Sequence, residues 1–175
     1  MPADLTPLIA ATAQWLTRAY PSGGGALDRV LAQTQARQAA TVAAWLRYPT
    51  ELDAALVTMA GPGGSGRLDR ITGTEGSAAG DPERHPWRTW VDEVVASWAA
   101  CLLGTPGLAG SATAALSGSG HLGEVRVDFR RLVAPDEHDL RAAALLRHPD
   151  LLAPIAELHR AELLVRLKRG TALTG

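Results

Sequence analysis

The residues with the greatest chemical potential are a glycine-rich run, five histidines, one cysteine and a few clustered acids. In LVTMAGPGGSGRL, Gly61, Gly63 and Gly66 match G-x-G-x-x-G, a spacing that lets backbone amides approach a dinucleotide phosphate. The same run approaches the P-loop pattern G-x-x-x-x-G-K-[ST]. Arg67, however, stands where the phosphate-binding lysine belongs, and Leu68 replaces the hydroxyl that holds magnesium. The residues that follow, DRITGTEGSAAG, do not form the amphipathic helix whose N-terminus would cradle an anion. The run reads as a flexible loop.

Zinc chemistry requires three protein ligands at fixed spacing, commonly H-E-x-x-H on one helix. His85, His121, His138, His148 and His159 contain no such pair. His121 with Glu124 and His159 with Glu162 have H-x-x-E spacing, which can bring two ligands together on a helix. His121 lies in glycine-rich sequence, and His159 sits beside Leu152, Ile155 and Leu163, where a hydrogen-bonded interface histidine is the ordinary outcome. Cys101 falls deep in an apolar stripe, away from the cations or helix start that favour a thiolate. There is no G-x-S-x-G elbow to present a serine. Asp136, Glu137 and Asp139 resemble paired carboxylates but occupy an expected helix start, where acids offset the dipole.

EVVASWAACLLGTPGLAG resembles the helix that supplies the third ligand in some zinc metallopeptidases, where a glutamate and an aspartate lie four residues apart. Glu93 is present, Ser97 occupies the aspartate position, and the zinc-binding H-E-x-x-H is missing. The resemblance covers less than a fifth of the chain and implies at most an inactive relative.

The elements that position these residues are mainly helical. A first helix is expected from Thr6 as N-cap with Pro7 at N1. A second should span about Ala26 to Tyr48, stopped by Pro49, and Thr50 with Asp53 suggests a capping box for a third ending near Met59. Residues 61–86 hold seven glycines and three prolines and predict a long flexible loop. Trp87, Trp90, Val91, Val94, Val95, Trp98, Cys101 and Leu102 then recur at helical spacing, which predicts a central core helix over 87–103. A short helix is expected from Pro106 to Leu116. In EVRVDF, Val125, Val127 and Phe129 alternate with charged residues, as in a half-buried strand over 124–129 that needs a partner. Two helices, from about Asp136 to Arg147 and from Asp150 to Arg169, close the chain, followed by a loose tail at 170–175.

Composition sets the class. With 175 residues, 46% hydrophobic and 20% charged, the chain suits a single helical domain of five to six helices with one short β element. A net charge of −1 offers no concentrated basic face for nucleic acid. A lone cysteine excludes an intramolecular disulfide framework. MPADLTPLIAATAQWL has no basic leader before an apolar segment, no stretch approaches a membrane span, and the expected location is cytoplasmic. No cofactor is implied. The expected function is a non-enzymatic interaction module, an adaptor, regulatory subunit or assembly component, with a protein partner or a homo-oligomer. Its candidate contact residues are Val125, Val127, Phe129, His159, Arg166, Lys168 and Arg169. The alternatives are a small-molecule-binding protein or enzyme with a pocket between helices beside the tryptophans, and metal dependence through His121, His138, His148 or His159.

Overall fold

A computed structural model describes residues 4–60, 65–74, 91–122 and 127–172. Among them are ten α-helices, two short 3₁₀ turns and no strand. The mainly helical class holds. The number of helices exceeds the five or six expected: the last expected helix breaks into two, one helix lies within the glycine-rich run, and a four-residue helix spans Arg130–Val133. No helix among the described residues is long and apolar enough to cross a membrane.

Helix α1 (Thr6–Ala19) begins one residue earlier than expected, with Leu5 at the cap and Thr6 as its first residue. Asp4 supplies the acceptor, its carboxylate receiving the Thr6 N–H at 2.9 Å. Helix α2 (Ala26–Arg47) is the long element that the sequence pattern predicts. At α3 (Glu51–Ala60) the Thr50 hydroxyl bonds the Asp53 carboxylate at 2.6 Å and accepts the Asp53 N–H at 3.2 Å, as the capping pattern requires.

The glycine-rich stretch 61–86 is not loop throughout, because α4 (Ser65–Thr72) lies inside it. Tertiary contacts override its weak propensity. Leu68 is fully buried, and the buried Asp69 carboxylate accepts from the Trp15 indole at 3.2 Å and from the Thr74 hydroxyl at 2.8 Å. Gly73, at φ +69°, ends the helix. Its N–H reaches Arg70 O, and Thr74 N–H reaches Asp69 O at 2.9 Å, the paired return bonds of a Schellman cap. Residues 61–64 and 75–90, including Trp87 and Trp90, lie outside the described residues.

The central helix starts later than the tryptophan spacing predicts. Val91 and Asp92 are non-helical, and α5 (Glu93–Gly104) begins where the Asp92 carboxylate caps the N–H groups of Val94 and Val95 at 2.8 and 3.3 Å. The second Asp92 oxygen takes the Tyr48 hydroxyl, joining this cap to the end of α2. Every residue from Val95 to Leu103 is buried, so α5 is covered on all sides rather than on one stripe. It packs on α2 and on the later helices α6 (Pro106–Ala115) and α9 (Pro149–Ala156). One hydrophobic cluster runs from Leu5 to Leu167 and includes Trp15, Leu16, Leu102, Leu103, Leu146 and Ile155.

Of the expected strand, residues 124–126 lie outside the described set, and Val127–Phe129 adopt neither strand nor helix. Phe129 caps the short α7 (Arg130–Val133) and meets Trp45 edge-on, with ring centroids 6.2 Å apart. Among the described residues of this stretch, Phe129 thus packs on α2 without joining a strand. Asp136 and Asp139 form a reciprocal capping box for α8 (Glu137–Ala142), which gives way to a 3₁₀ turn at Leu145–Arg147.

The last expected helix is two. Between α9 and α10 (Arg160–Ala172) the chain turns at 157–159. In a continuous helix the Ala156 carbonyl would accept the Arg160 N–H. Here it instead accepts from Ser97 Oγ and Cys101 Sγ, each at 3.2 Å, while the His159 N–H donates to Ser97 Oγ at 3.0 Å. Helix α10 passes through Gly170 to Ala172, and the remainder of the expected tail, 173–175, lies outside the described residues.

Candidate functional site

The residues with chemical potential are largely engaged in holding the backbone. Ser97, the residue at the aspartate position of the metallopeptidase-like pattern, is fully buried and serves the α9–α10 turn with both its donor and its acceptor. Glu93, its neighbour one turn back, lies 3.3 Å from Arg67 and 4.0 Å from His159 Nε2. His159 Nδ1 faces Glu162 at 3.6 Å, and the His159 carbonyl accepts the Trp98 indole N–H at 3.2 Å. These groups meet without the order a Ser–His–acid triad requires, since the Ser97 hydroxyl contacts the His159 backbone and not its ring.

His121 stacks on Trp45, centroids 5.7 Å apart, and hydrogen-bonds the Tyr48 carbonyl. Burial, reinforced by the hydrogen bond and charge of Asp92, holds the Tyr48 phenol well above its ordinary pKa. Burial likewise pushes the Cys101 thiol up to about 11, which removes it as a nucleophile near neutral pH. No three histidine, cysteine or acidic side chains among the described residues converge as metal ligands. His138 contacts Arg141 and His148 lies 3.9 Å from Asp150, both near the surface. His85 lies outside the described residues.

A second polar centre is structural. Arg147 sends Nε and Nη2 to Gln35 Oε1 at 3.2 and 2.9 Å, Nη1 to Leu103 O at 2.6 Å and Nη2 to Arg131 O at 3.3 Å. Gln35 in turn donates to Asp139 O at 2.9 Å, and the fully buried Asp139 carboxylate pairs with Arg131. Burial draws the Arg147 guanidinium below its ordinary pKa, and the Asp139 charge opposes that shift.

Against these satisfied groups stands an open groove of about 500 Å³ between the end of α2, the middle of α5 and one face of α10. Leu46, Trp98, Ala161 and Val165 contribute its apolar lining, and Arg47, Glu162, Arg166 and Arg169 its charged lining. Trp98 offers only an edge, being 3% exposed, whereas Val165 is 49% exposed. Residues 161, 162, 165, 166 and 169 fall within one face of α10 and extend the groove over about 12 Å. Arg47 lies over the Tyr48 ring at 5.0 Å. None of the three arginines pairs with a carboxylate among the described residues, while Glu162 is already beside His159.

Among the contact residues expected from sequence, Arg166 and Arg169 are brought together in this groove, with His159 at its N-terminal approach. Lys168 is exposed on α10 but is not among the lining residues. Val127 and Phe129 instead border a separate groove of about 450 Å³ with Leu122 and Val133, and Val125 lies outside the described residues. Leu46, Arg47 and Val165 were not foreseen. The recurrence 161–165–169 on α10 carries the signal for Val165, but nothing local announces that the end of α2 would lie opposite it.

No model of a known protein family matches this chain, and no curated protein or solved structure is found to match it.

Proposed function

We propose that the chain is a binding module without chemistry of its own, an adaptor, regulatory subunit or assembly component that works as a single domain in the cytoplasm. The observation that carries the reading is the groove on α2, α5 and α10, lined by apolar residues together with three arginines that have no carboxylate partner among the described residues. Such a surface gives a partner both apolar area to bury and charge to orient it. The engagement of Ser97, His121 and Cys101 in backbone support favours binding over catalysis. Phe129, packed edge-on against Trp45, supports the fold more than a strand-to-strand joint, so helix packing is the favoured mode of association.

The test is the mass of the purified chain by light scattering at micromolar concentration, alone and after native co-purification from its source cell. A dimer or a stoichiometric hetero-complex is expected, weakened by Arg166→Glu with Arg169→Glu. A strict monomer that retains nothing on co-purification overturns the reading. The edge of Trp98 in a groove of this size favours one alternative, a small-molecule site, since ligand pockets commonly span about 300–1,000 Å³. Saturable quenching of tryptophan fluorescence in a ligand screen would support that alternative.

A further inference from the structure

We infer that the groove receives an acidic amphipathic helix from a partner protein, an assignment that rests on reading the chain as an interaction module. The shape argues for a helix. A small-ligand site is concave, encloses most of its ligand and converges a few polar groups on it. This groove is open, its lining runs about two helical turns along α10, and apolar residues alternate along it with arginines rather than enclosing a single polar point. That layout matches helix-in-groove recognition, in which apolar residues at i, i+3/i+4 and i+7 enter a trough and flanking charges set the register.

The charge argues for acids. Among the described residues, Glu162 is the one carboxylate lining the groove beside Arg47, Arg166 and Arg169, and it has His159 at 3.6 Å. The lining is therefore locally cationic on a chain whose formal net charge is −1. Arginine also presents a planar fork that matches a carboxylate with two parallel hydrogen bonds. Arg47 ends α2, while Arg166 and Arg169 belong to α10, so the cationic lining comes from two helices. An occupant with glutamates or aspartates on both sides of its apolar stripe satisfies the arginines of both. A basic or neutral helix leaves the arginines facing nothing.

The experiment selects random 16-residue peptides, displayed on phage, against the immobilised full chain, and measures synthetic versions of the winners by fluorescence anisotropy. Winners are expected to be net acidic, with apolar residues at helical spacing. Their affinity should fall about tenfold or more with Arg166→Glu/Arg169→Glu, from a few-fold per exposed pair and the added repulsion. It should also fall as salt rises, and circular dichroism establishes that each variant is folded. The milder Arg166→Gln/Arg169→Gln should give an intermediate loss. Basic or neutral winners, or acidic ones indifferent to both variants but lost with Leu52→Ser/Leu56→Ser on the exposed face of α3, would overturn the groove assignment and leave the interaction module standing. If no peptide is enriched, the groove assignment fails, while the interaction module stands or falls by light scattering and co-purification. Saturable fluorescence quenching by dodecanoate, abolished by the same arginine variants, would then identify a small anionic amphiphile as the occupant.

Discussion

Replacing Arg147 with methionine probes the polar centre that joins α2, α5 and the 3₁₀ turn at Leu145–Arg147. Methionine keeps most of the stem volume and removes the fork. Three acceptors then lose their donor, namely Gln35 Oε1, Leu103 O and Arg131 O. A hydrogen bond to a charged group contributes about 1.5–3 kcal/mol, and stranding the acceptors adds desolvation cost. The methionine variant is relieved of burying a cation, which offsets part of that loss. The expected net destabilisation is about 3 kcal/mol. For a chain of this size that lowers the melting temperature by roughly 6–12 °C. Urea unfolding followed by circular dichroism should show a lower midpoint with an unchanged slope. Arg147→Lys keeps the charge without the fork and should recover less than half of the loss. Combined with Gln35→Met, the two losses should fall short of their sum by about 1–2 kcal/mol, because the pair shares one network. A methionine variant within about 0.5 kcal/mol of the parent, or strict additivity in the double variant, would refute the reasoning.

Cys101 should resist a thiol reagent at pH 8 in the folded chain and react at once in denaturant, because its thiol is pushed up to about 11. The folded chain holds that proton more tightly than the unfolded one, whose ordinary value is 9.0. The contribution to stability is thus complete below pH 9 and is lost as pH rises through about 11, which pH-dependent unfolding would follow. Tyr20, whose hydroxyl donates to Leu151 O and whose pKa burial raises to about 12, extends the same loss to higher pH. Asp69→Leu removes the carboxylate that accepts from the Trp15 indole and from the Thr74 hydroxyl and should cost about 2 kcal/mol, with a change in tryptophan emission as the second readout. Gly73→Ala places a side chain at φ +69° and should cost about 1 kcal/mol in urea unfolding, although open space surrounds the new Cβ.

Legibility differs by element, for physical reasons. Helices α2 and α3 follow from local signals, since Pro49 and the Thr50–Asp53 pair act over a few residues. Helix α4 was hidden because its stability comes from Trp15, some fifty residues away, and not from its own glycine-bearing sequence. The break between α9 and α10 was hidden for the same reason, as its cause is a serine on α5. The alternation in EVRVDF suggested a strand, yet at Phe129 it records contact with Trp45. At the groove, Arg166 and Arg169 were readable as a cationic helix end, whereas Arg47 and Leu46 enter only through the packing of α2 against α5.

The seam between α2 and α5 carries a last implication. The buried faces of the two helices, which pack on each other and on their other neighbours, are rich in alanine. Ala36, Ala39, Ala40, Ala43 and Ala44 on one and Ala96, Ala99 and Ala100 on the other are all at most 1% exposed. Methyl-sized surfaces allow close backbone approach and leave little room for extra carbons. Tolerance to change there is lopsided: trimming to glycine shaves off one methyl group, while a leucine acts as a wedge. Any drift of this chain over time is steered away from bulk along that line, and whatever specificity it gains must be written on the outer faces.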